Sequence, residues 1–170
     1  MSIFNAAATA ATLDLPINQN LGFAWLIPFN TKDGCKASFQ IGSKGFLQLA
    51  QRSGQFLTIN SSDVREGEIK SHNRLTGEIT FQWIQGKDRI NKPIIGYVSF
   101  FKLLNGFEKS LYMTNEELNA HAKKFSQTFK KGFGLWKDDF PAMANKTVIK
   151  LLLSKFAPLS IEMQKAIITD

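Results

Sequence analysis

The pattern of hydrophobic and polar positions predicts two helices around one strand in the first third of the chain. Residues 2–12 are rich in alanine and predict a helix, because alanine has the highest helix propensity. Residues 21–29 are almost wholly apolar and predict a buried strand that Pro28 closes. Over residues 39–53 the apolar side chains recur at helical spacing, and Gly54 is a natural helix stop. We therefore expect the order helix, strand, helix.

In the middle of the chain, apolar residues recur at every second position, which is the spacing of a half-buried strand. Residues 78–83 alternate strictly, and residues 72–77 before them have the composition of a turn, which predicts a β-hairpin. Residues 94–104 predict a strongly apolar strand. The Asn-Gly pair that follows predicts a tight turn to a partner strand over residues 107–113. We expect an antiparallel meander of three or four strands, with residues 86–92 as a polar turn.

Local signals mark two helix starts in the last third of the chain. Thr114 and Glu117 have the spacing of a capping box, which predicts a helix beginning there. Asp139 and Pro141 predict a second start, because acidic residues suit the positive end of a helix and proline is tolerated in its first turn. From residue 143 to about residue 156 the pattern is amphipathic, which predicts a long helix.

The order helices, strands, helices indicates an α+β fold. With 170 residues, of which 44% are hydrophobic, the chain can bury a sizeable core. It contains no internal repeat, low-complexity tract or long linker. We expect one domain over residues 1–170, in which an antiparallel meander and hairpin pack on a long C-terminal helix.

The single cysteine, Cys35, excludes an internal disulfide and fits a reducing compartment. The N-terminus lacks a charged segment followed by an apolar run, so no signal peptide is expected. No apolar stretch is long enough for a membrane span, and no membrane partner is expected. We predict a cytoplasmic protein.

The net charge of +7 and the pI of about 9.6 favour an anionic partner such as nucleic acid. The excess is uneven, because residues 123–170 hold nine Lys and Arg against four Asp and Glu. The C-terminal third therefore predicts a positive surface.

The sequence lacks the motifs of nucleotide-phosphate binding and of zinc binding. Neither GxxxxGK[ST] nor GxGxxG occurs, so ATP-driven action is not expected. His72 and His121 have no second histidine or cysteine at ligand spacing, so we interpret them as ordinary surface or core residues. No metal or other cofactor is expected.

One pattern resembles the carboxylates of a metal-dependent nuclease. Asp63, Glu68 and Lys70 imitate an Asp…Glu-x-Lys arrangement that holds Mg²⁺ and steadies the attacking water. Strand alternation offers a simpler interpretation, in which Glu68 and Lys70 form an ordinary charge pair on the solvent face. We favour the charge pair and keep the nuclease as an alternative.

The stretch from Phe125 to Lys137 alternates aromatic and basic residues, which is typical of single-stranded nucleic-acid binding. Unpaired bases offer faces on which aromatic rings stack, while lysines contact phosphates. Phe129, Phe133 and Trp136 are the candidates for base stacking. For each of them, and for Phe125, packing in the core is the interpretation that we favour.

Longer stretches of the sequence resemble the RecT family of phage and prophage single-strand annealing proteins. The matching segments are GSKGFLQLAQRSGQF (42–56), RLTGEI (74–79), IIGYVSFFKLLNGFEKSLYMTNEEL (94–118), HAKKFS (121–126) and LWKDDFPAMANKTVIKLLLSKFAPLSIEMQKAI (135–167). The last of them is long and composed of unusual neighbours. The resemblance places the family core over about residues 21–168, with the terminal extensions of the family short or missing.

The resemblance implies ATP-independent annealing of complementary single strands in homologous recombination, by a protein that is not an enzyme. It implies rings or helical filaments, with DNA in a basic groove that runs across adjacent subunits. It also implies a partner exonuclease and a host single-strand-binding protein, whose recruitment the short ends leave open. A module that coats single strands without annealing them is the alternative.

We expect phosphate contacts from lysines of the long helix and of the segments before it. The helix contributes Lys146, Lys150 and Lys155, of which Lys146 has the best support from the motif. The rest of the groove would come from Lys123, Lys124, Lys130, Lys131 and Lys137. Lys44, Arg52 and Arg74 are second candidates, and Arg74 at the hairpin tip would alternatively reach a neighbouring subunit. An ordinary solvated position stays open for each.

Overall fold

A computed structural model describes residues 2–32 and 34–169, the last of these by its backbone alone. In chain order the elements are α1 Ser2–Thr12, β1 Ala24–Thr31, β2 Gly34–Ile41, α2 Ser43–Arg52, β3 Phe56–Arg65, β4 Ile69–Asn73, β5 Glu78–Phe81, α3 Gly86–Ile90, β6 Ile94–Leu103, β7 Glu108–Thr114, α4 Asn115–Phe125, α5 Gln127–Lys130, α6 Leu135–Asp138, α7 Phe140–Phe156 and α8 Ile161–Thr169. The expected α+β class with antiparallel strand pairs is confirmed.

The chain divides into two compact units. The terminal unit comprises the residues up to 56 and those from 157 onward, and the central unit comprises residues 57–156. That residues 1–170 act as one domain stays a prediction.

In the terminal unit, β1 and β2 form an antiparallel pair that runs from Ala24 opposite Ile41 to Thr31 opposite Gly34. The prediction that Pro28 closes the first strand is wrong, because Pro28 lies inside β1, opposite Ala37. A two-stranded sheet leaves each strand one unpaired edge, where the missing N–H of proline is tolerated.

The helix predicted over residues 39–53 begins only at Ser43, because residues 34–41 form β2. Gly42 makes the change of direction possible. Its N–H donates to the Phe23 carbonyl at 2.9 Å, and a side chain there would collide with the Trp25 ring and the Gly22 carbonyl. The predicted helical spacing of apolar residues is confirmed from Phe46 onward, because Phe46, Leu49 and Ala50 are buried.

The central unit contains a three-stranded sheet in the order β3-β6-β7 and a separate hairpin, β4-β5. β6 and β7 pair antiparallel from Gly96 opposite Thr114 to Lys102 opposite Glu108, as the sequence predicted. The simple meander is wrong, because β3 neighbours β6 and not the strand that follows it. The tight turn at Gly67, together with the buried Glu68 that follows it, separates β3 from β4.

One face of this sheet packs against the helices of the central unit. Side chains from β6, α4, α6 and α7 form the buried cluster Tyr97, Leu118, Ala122, Trp136, Ala144 and Val148. Leu111 and Met113 of β7 pack against it. The sheet therefore packs on α7, the long C-terminal helix that the amphipathic pattern predicted.

Both predicted helix starts are confirmed in their capping chemistry. The Thr114 hydroxyl accepts from the Glu117 N–H at 3.1 Å, and the Glu117 carboxylate accepts from the Thr114 N–H at 2.9 Å. The Asp139 carboxylate accepts from the Ala142 N–H at 3.1 Å, and Pro141 lies in the first turn of α7. Residues 86–90, predicted as part of a turn, form the short helix α3.

Candidate nucleic-acid interface

The segment that joins α4 to α7 is a compact run of caps and turns. Ser126 ends α4, and its hydroxyl accepts from the Phe129 N–H at 3.2 Å to begin α5. Gly132 and Gly134 have φ of 85° and 98°, a conformation that side-chain-bearing residues rarely adopt. The Lys137 N–H then donates to the Gly134 carbonyl at 2.7 Å and begins α6. These local bonds fix the backbone from which the predicted lysines extend.

Three of the predicted lysines come together on this segment. Lys130, Lys131 and Lys137 are all exposed. The Lys137 ammonium lies 3.8 Å from the point where a Cβ on Gly132 would sit, so the lysine reaches back over the loop that carries the other two. We call Lys130, Lys131 and Lys137 the loop lysines.

Positive side chains of both α4 and α7 act on His121. The pKa of His121 lies below its usual value, chiefly because the ring is partly buried and further because Lys150 and Lys124 place positive charge near it. The His121 ring packs 4.6 Å from the Phe125 ring, and the Lys124 ammonium lies 5.2 Å from the centre of the same ring. An anion bound beside His121 would oppose the positive charge that contributes to its lowered pKa.

The long-helix lysines differ in exposure. Lys146 and Lys150 are half-buried one turn apart, whereas Lys155 is exposed in the last turn of α7. Lys123, in the last turn of α4, is exposed as well. The structure places Lys124 and Lys150 each within electrostatic reach of His121, and it gathers the loop lysines on one segment. That these lysines contact DNA stays a prediction.

The three candidate stacking residues differ in how far their rings are buried. Trp136 is 7% exposed, and its ring meets Phe129 and Phe140 edge-on at 6.4 and 5.6 Å. Phe129 is half-buried against the same cluster, while Phe133 is 56% exposed. Of the three predicted stacking residues, Phe133 is therefore the one whose ring is exposed.

Phe125 was expected in the core and is instead 64% exposed. It follows Ala122 at helical spacing, which predicts the same buried face. The helix ends at the next residue, Ser126, so no further turn packs over the ring. The helix-ending position was the signal in the sequence that could have identified it.

Arg52 and Lys44 belong to the terminal unit. The Arg52 guanidinium forms an ion pair with Asp14 at 2.8 Å and donates to the carbonyl of Leu13 at 2.5 Å. It therefore fastens the loop after α1. Lys44 is exposed on α2, with its aliphatic stem close to Gly22.

Arg74 is exposed in the turn between β4 and β5. The turn is held by Asn73, whose side-chain oxygen accepts from the N–H groups of Leu75 and Thr76 at 3.0 and 3.3 Å. The Lys109 ammonium donates to the Thr76 carbonyl and lies 5.3 Å from the centre of the Phe156 ring. The hairpin tip is thereby tied to β7 and to the end of α7.

The nuclease-like carboxylates are engaged by arginines. Glu68 is completely buried, and its oxygens accept from Arg89 Nε and the Arg65 N–H, both at 2.7 Å. Asp63 lies 3.0 Å from Arg65 and 3.2 Å from Arg89. Burial acts to raise the pKa of Asp63, but hydrogen bonds and charge from the two arginines outweigh it and hold that pKa below its usual value.

The expected solvent-facing pair of Glu68 and Lys70 is wrong, because Glu68 is buried while Lys70 is exposed. An irregularity in the strand pairing between Ile69 and Ser71 breaks the alternation on which the expectation depended. Over residues 2–32 and 34–169 no three His, Cys, Asp or Glu side chains form a group that could hold a metal ion. Within the same part of the chain, no helix is long and apolar enough to cross a membrane.

Comparisons with known proteins agree with the sequence resemblance. The chain is 48% identical over 170 residues to "Uncharacterized protein YqaK" of Bacillus subtilis (strain 168), a match that covers all of this chain and 56% of that protein. It is 29% identical over 181 residues to "Protein RecT" of Escherichia coli (strain K12), which covers all of this chain and 62% of that protein. The chain thus spans about six tenths of the length of these relatives. A sequence model of the RecT family matches residues 1–170, and the chain therefore belongs to the RecT family.

Proposed function

We propose that this protein binds single-stranded DNA through the lysines of its central unit and anneals complementary strands during homologous recombination, without ATP. The gathering of the loop lysines beside the exposed Phe133 carries the proposal, together with family membership. Lys124 and Lys150 extend the same positive character towards α7.

Annealing requires no bond-making residue. It requires that the phosphate charges of two strands be neutralised while the bases stay unpaired until a complement arrives. Lysine contacts to phosphates are sequence-blind and leave base edges free to test pairing. The stability of the product comes from base pairing and stacking in the DNA, so the protein need not consume energy.

The proposal favours a binding protein over the nuclease alternative. Arg65 and Arg89 neutralise Asp63 and Glu68, and Glu68 is shielded from solvent. A Mg²⁺ ion would have to displace both guanidinium groups to gain its carboxylate ligands. These carboxylates are better explained as supports of the fold.

Family membership supports three further parts of the proposal. We propose that the protein acts as a ring or helical filament, in which DNA follows a groove across adjacent copies. We propose that an exonuclease supplies the single strands, and that a host single-strand-binding protein is a further partner. The place of action would be the cytoplasm of a bacterial or phage-infected cell.

The test is annealing of two complementary dye-labelled oligonucleotides without ATP over a series of salt concentrations. Acceleration that fades as salt rises is expected, because added cations compete for the phosphates. Binding of single strands without acceleration would favour the coating module over annealing. Cleavage of the oligonucleotides on addition of Mg²⁺ would contradict the choice of a non-enzymatic function.

A further inference from the structure

A groove of about 470 Å³ lies between the β4-β5 hairpin and the three-stranded sheet of the central unit. The sheet contributes Asn60, Ser61 and Ser62 from β3, Val98 and Phe100 from β6, and Glu108, Lys109 and Ser110 from β7. All of these except Ser61 and Lys109 are even-numbered positions, and the Ser61 hydroxyl donates to Asn145 of α7 at 2.7 Å. The odd-numbered Tyr97, Leu111 and Met113 belong to the helix-packed core, so the groove lies on the other face of the sheet.

The hairpin wall of the groove carries an aromatic stack. Ile79, Phe81 and Trp83 alternate along β5 and its extension, and all three line the groove. The rings of Phe81 and Trp83 lie 4.7 Å apart with only 12° between their planes. Trp83 is nevertheless 44% exposed. The pair therefore forms an accessible, nearly parallel stack.

This stack differs from the aromatic contacts of the core. Around Trp136 the rings of Phe129 and Phe140 meet the indole at 66° and 62°, the edge-to-face geometry common in packed interiors. The open face of a parallel pair can be continued by a third planar ring. The groove geometry thus suits a flat aromatic ligand.

The groove differs from the surface formed by the loop lysines in its charge. Glu78, Glu108 and Lys109 line it. Glu108 pairs with Lys102 at 3.0 Å, and the Lys109 ammonium is bound to the Thr76 carbonyl. The groove therefore offers no cationic surplus that would attract a phosphate. The amide of Asn60 and the Ser110 hydroxyl instead supply neutral hydrogen-bond donors and acceptors. The Ser62 hydroxyl, which donates to the Asp63 carbonyl at 3.1 Å, supplies an acceptor.

We propose that this groove binds unpaired nucleobases, with Trp83 as the stacking residue and the amide and hydroxyl groups facing the base edges. The proposal rests on the proposed binding of single-stranded DNA and adds to it a base site separate from the phosphate contacts. Base stacking on an aromatic side chain tolerates any sequence, because every base has a π-face. The site would help to keep bases unpaired between encounters.

The first experiment compares a thymine oligonucleotide with an abasic one of the same length, so that phosphate number is constant. Trp83→Ala is expected to weaken binding of the thymine oligonucleotide roughly tenfold. It should leave affinity for the abasic oligonucleotide and the salt dependence unchanged. Equal losses for both probes, or no loss for either, would overturn the proposal.

A second measurement keeps the proposal testable if Trp83→Ala does not fold. Trp83→Phe keeps an aromatic ring and should retain most of the base-dependent affinity while removing the indole signal. Thymidine, which carries no phosphate, should quench tryptophan fluorescence in the wild type more than in Trp83→Phe. Equal quenching in the two proteins would count against Trp83, because it would come from Trp25 or Trp136.

Thymidine also separates this proposal from the proposed function. If oligonucleotides fail to bind but thymidine still quenches Trp83, the base site stands and the lysine surface fails. If oligonucleotides bind and anneal but Trp83 does not respond, the base site alone is wrong. A change in sedimentation mass on Trp83→Ala, with no difference between the two oligonucleotides, would assign the groove to a second copy of the chain.

Discussion

The Arg89 guanidinium lies 2.7 Å from the carboxylate of Glu68, which is completely buried. Hydrogen bonding to Glu68 is the main reason why the pKa of Arg89 lies above its usual value. Arg65 completes the arrangement, because its guanidinium donates to the carbonyls of Arg89, Ile90 and Lys92. The network fastens α3 and the segment after it to the end of β3.

Replacement of Arg89 by methionine should lower the free energy of unfolding by about 3–5 kcal/mol, since it leaves a buried carboxylate without its counter-ion. Chemical denaturation measures the change. Arg74→Met is the matched control, because Arg74 is exposed in the hairpin turn, and it should change stability by less than about 0.5 kcal/mol. A similarly small effect at Arg89 would contradict the assigned role of the ion pair.

The ion pairs of Asp63 should make stability depend on pH in the acid range. The pKa of Asp63 is lower in the folded protein than in the unfolded chain, where it is about 3.9. The contribution of the Asp63 carboxylate to the free energy of unfolding is therefore complete above about pH 3.9, and it is lost as pH falls through the folded pKa. The stability difference between wild type and Asp63→Asn should therefore shrink below about pH 4. A difference that stays constant from pH 7 to pH 2 would refute this linkage.

His121 should report anion binding between α4 and α7. Its lowered pKa means that its contribution to stability is present above the unfolded value of about 6.5 and is lost as pH falls through the folded pKa. Phosphate bound beside Lys124 and Lys150 would offset their charges and raise the pKa of His121. NMR titration of the imidazole with and without a thymine oligonucleotide measures this shift, and an unchanged pKa would place the strand elsewhere.

Replacement of the three loop lysines by alanine should weaken single-strand binding and make it less salt-dependent. Each lost phosphate contact should reduce the slope of log affinity against log salt by about 0.7, or roughly 2 for the three together. Because these side chains are exposed, the unfolding transition should barely move. Lys87→Ala with Lys92→Ala is the control, because it removes two exposed lysines, one in α3 and one just after it. Equal slopes for the two variants would argue against a special role of the loop.

Trp136→Ala and Phe133→Ala should separate packing from ligand contact. Trp136 is buried in the core cluster, so its truncation should cost about 3–5 kcal/mol of folding stability. Phe133 is exposed, so its truncation should leave thermal unfolding nearly unchanged and weaken oligonucleotide binding. A stable Trp136→Ala protein with reduced DNA affinity would reverse these assignments.

The sequence by itself determined the features that depend on near neighbours. The capping box at Thr114, the Asp139 cap of α7 and the Asn-Gly turn between β6 and β7 each involve residues within about four positions of one another. Such signals act before any tertiary contact forms, so their composition alone predicts the element. The resemblance to the RecT family was likewise evident from the sequence, and the match of the family model to residues 1–170 confirms it.

Only the tertiary structure decided which of these elements meet and which side chains they cover. Pairing of β3 with β6 joins strands whose nearest ends, Arg65 and Ile94, are 29 residues apart, and the Arg89 that neutralises Glu68 lies 21 residues away. The burial of Trp136 likewise depends on where the chain turns after Ser126. Burial and ion pairing of this kind depend on distant parts of the chain. They therefore cannot be predicted from the hydrophobic period or the residue spacing of a single segment.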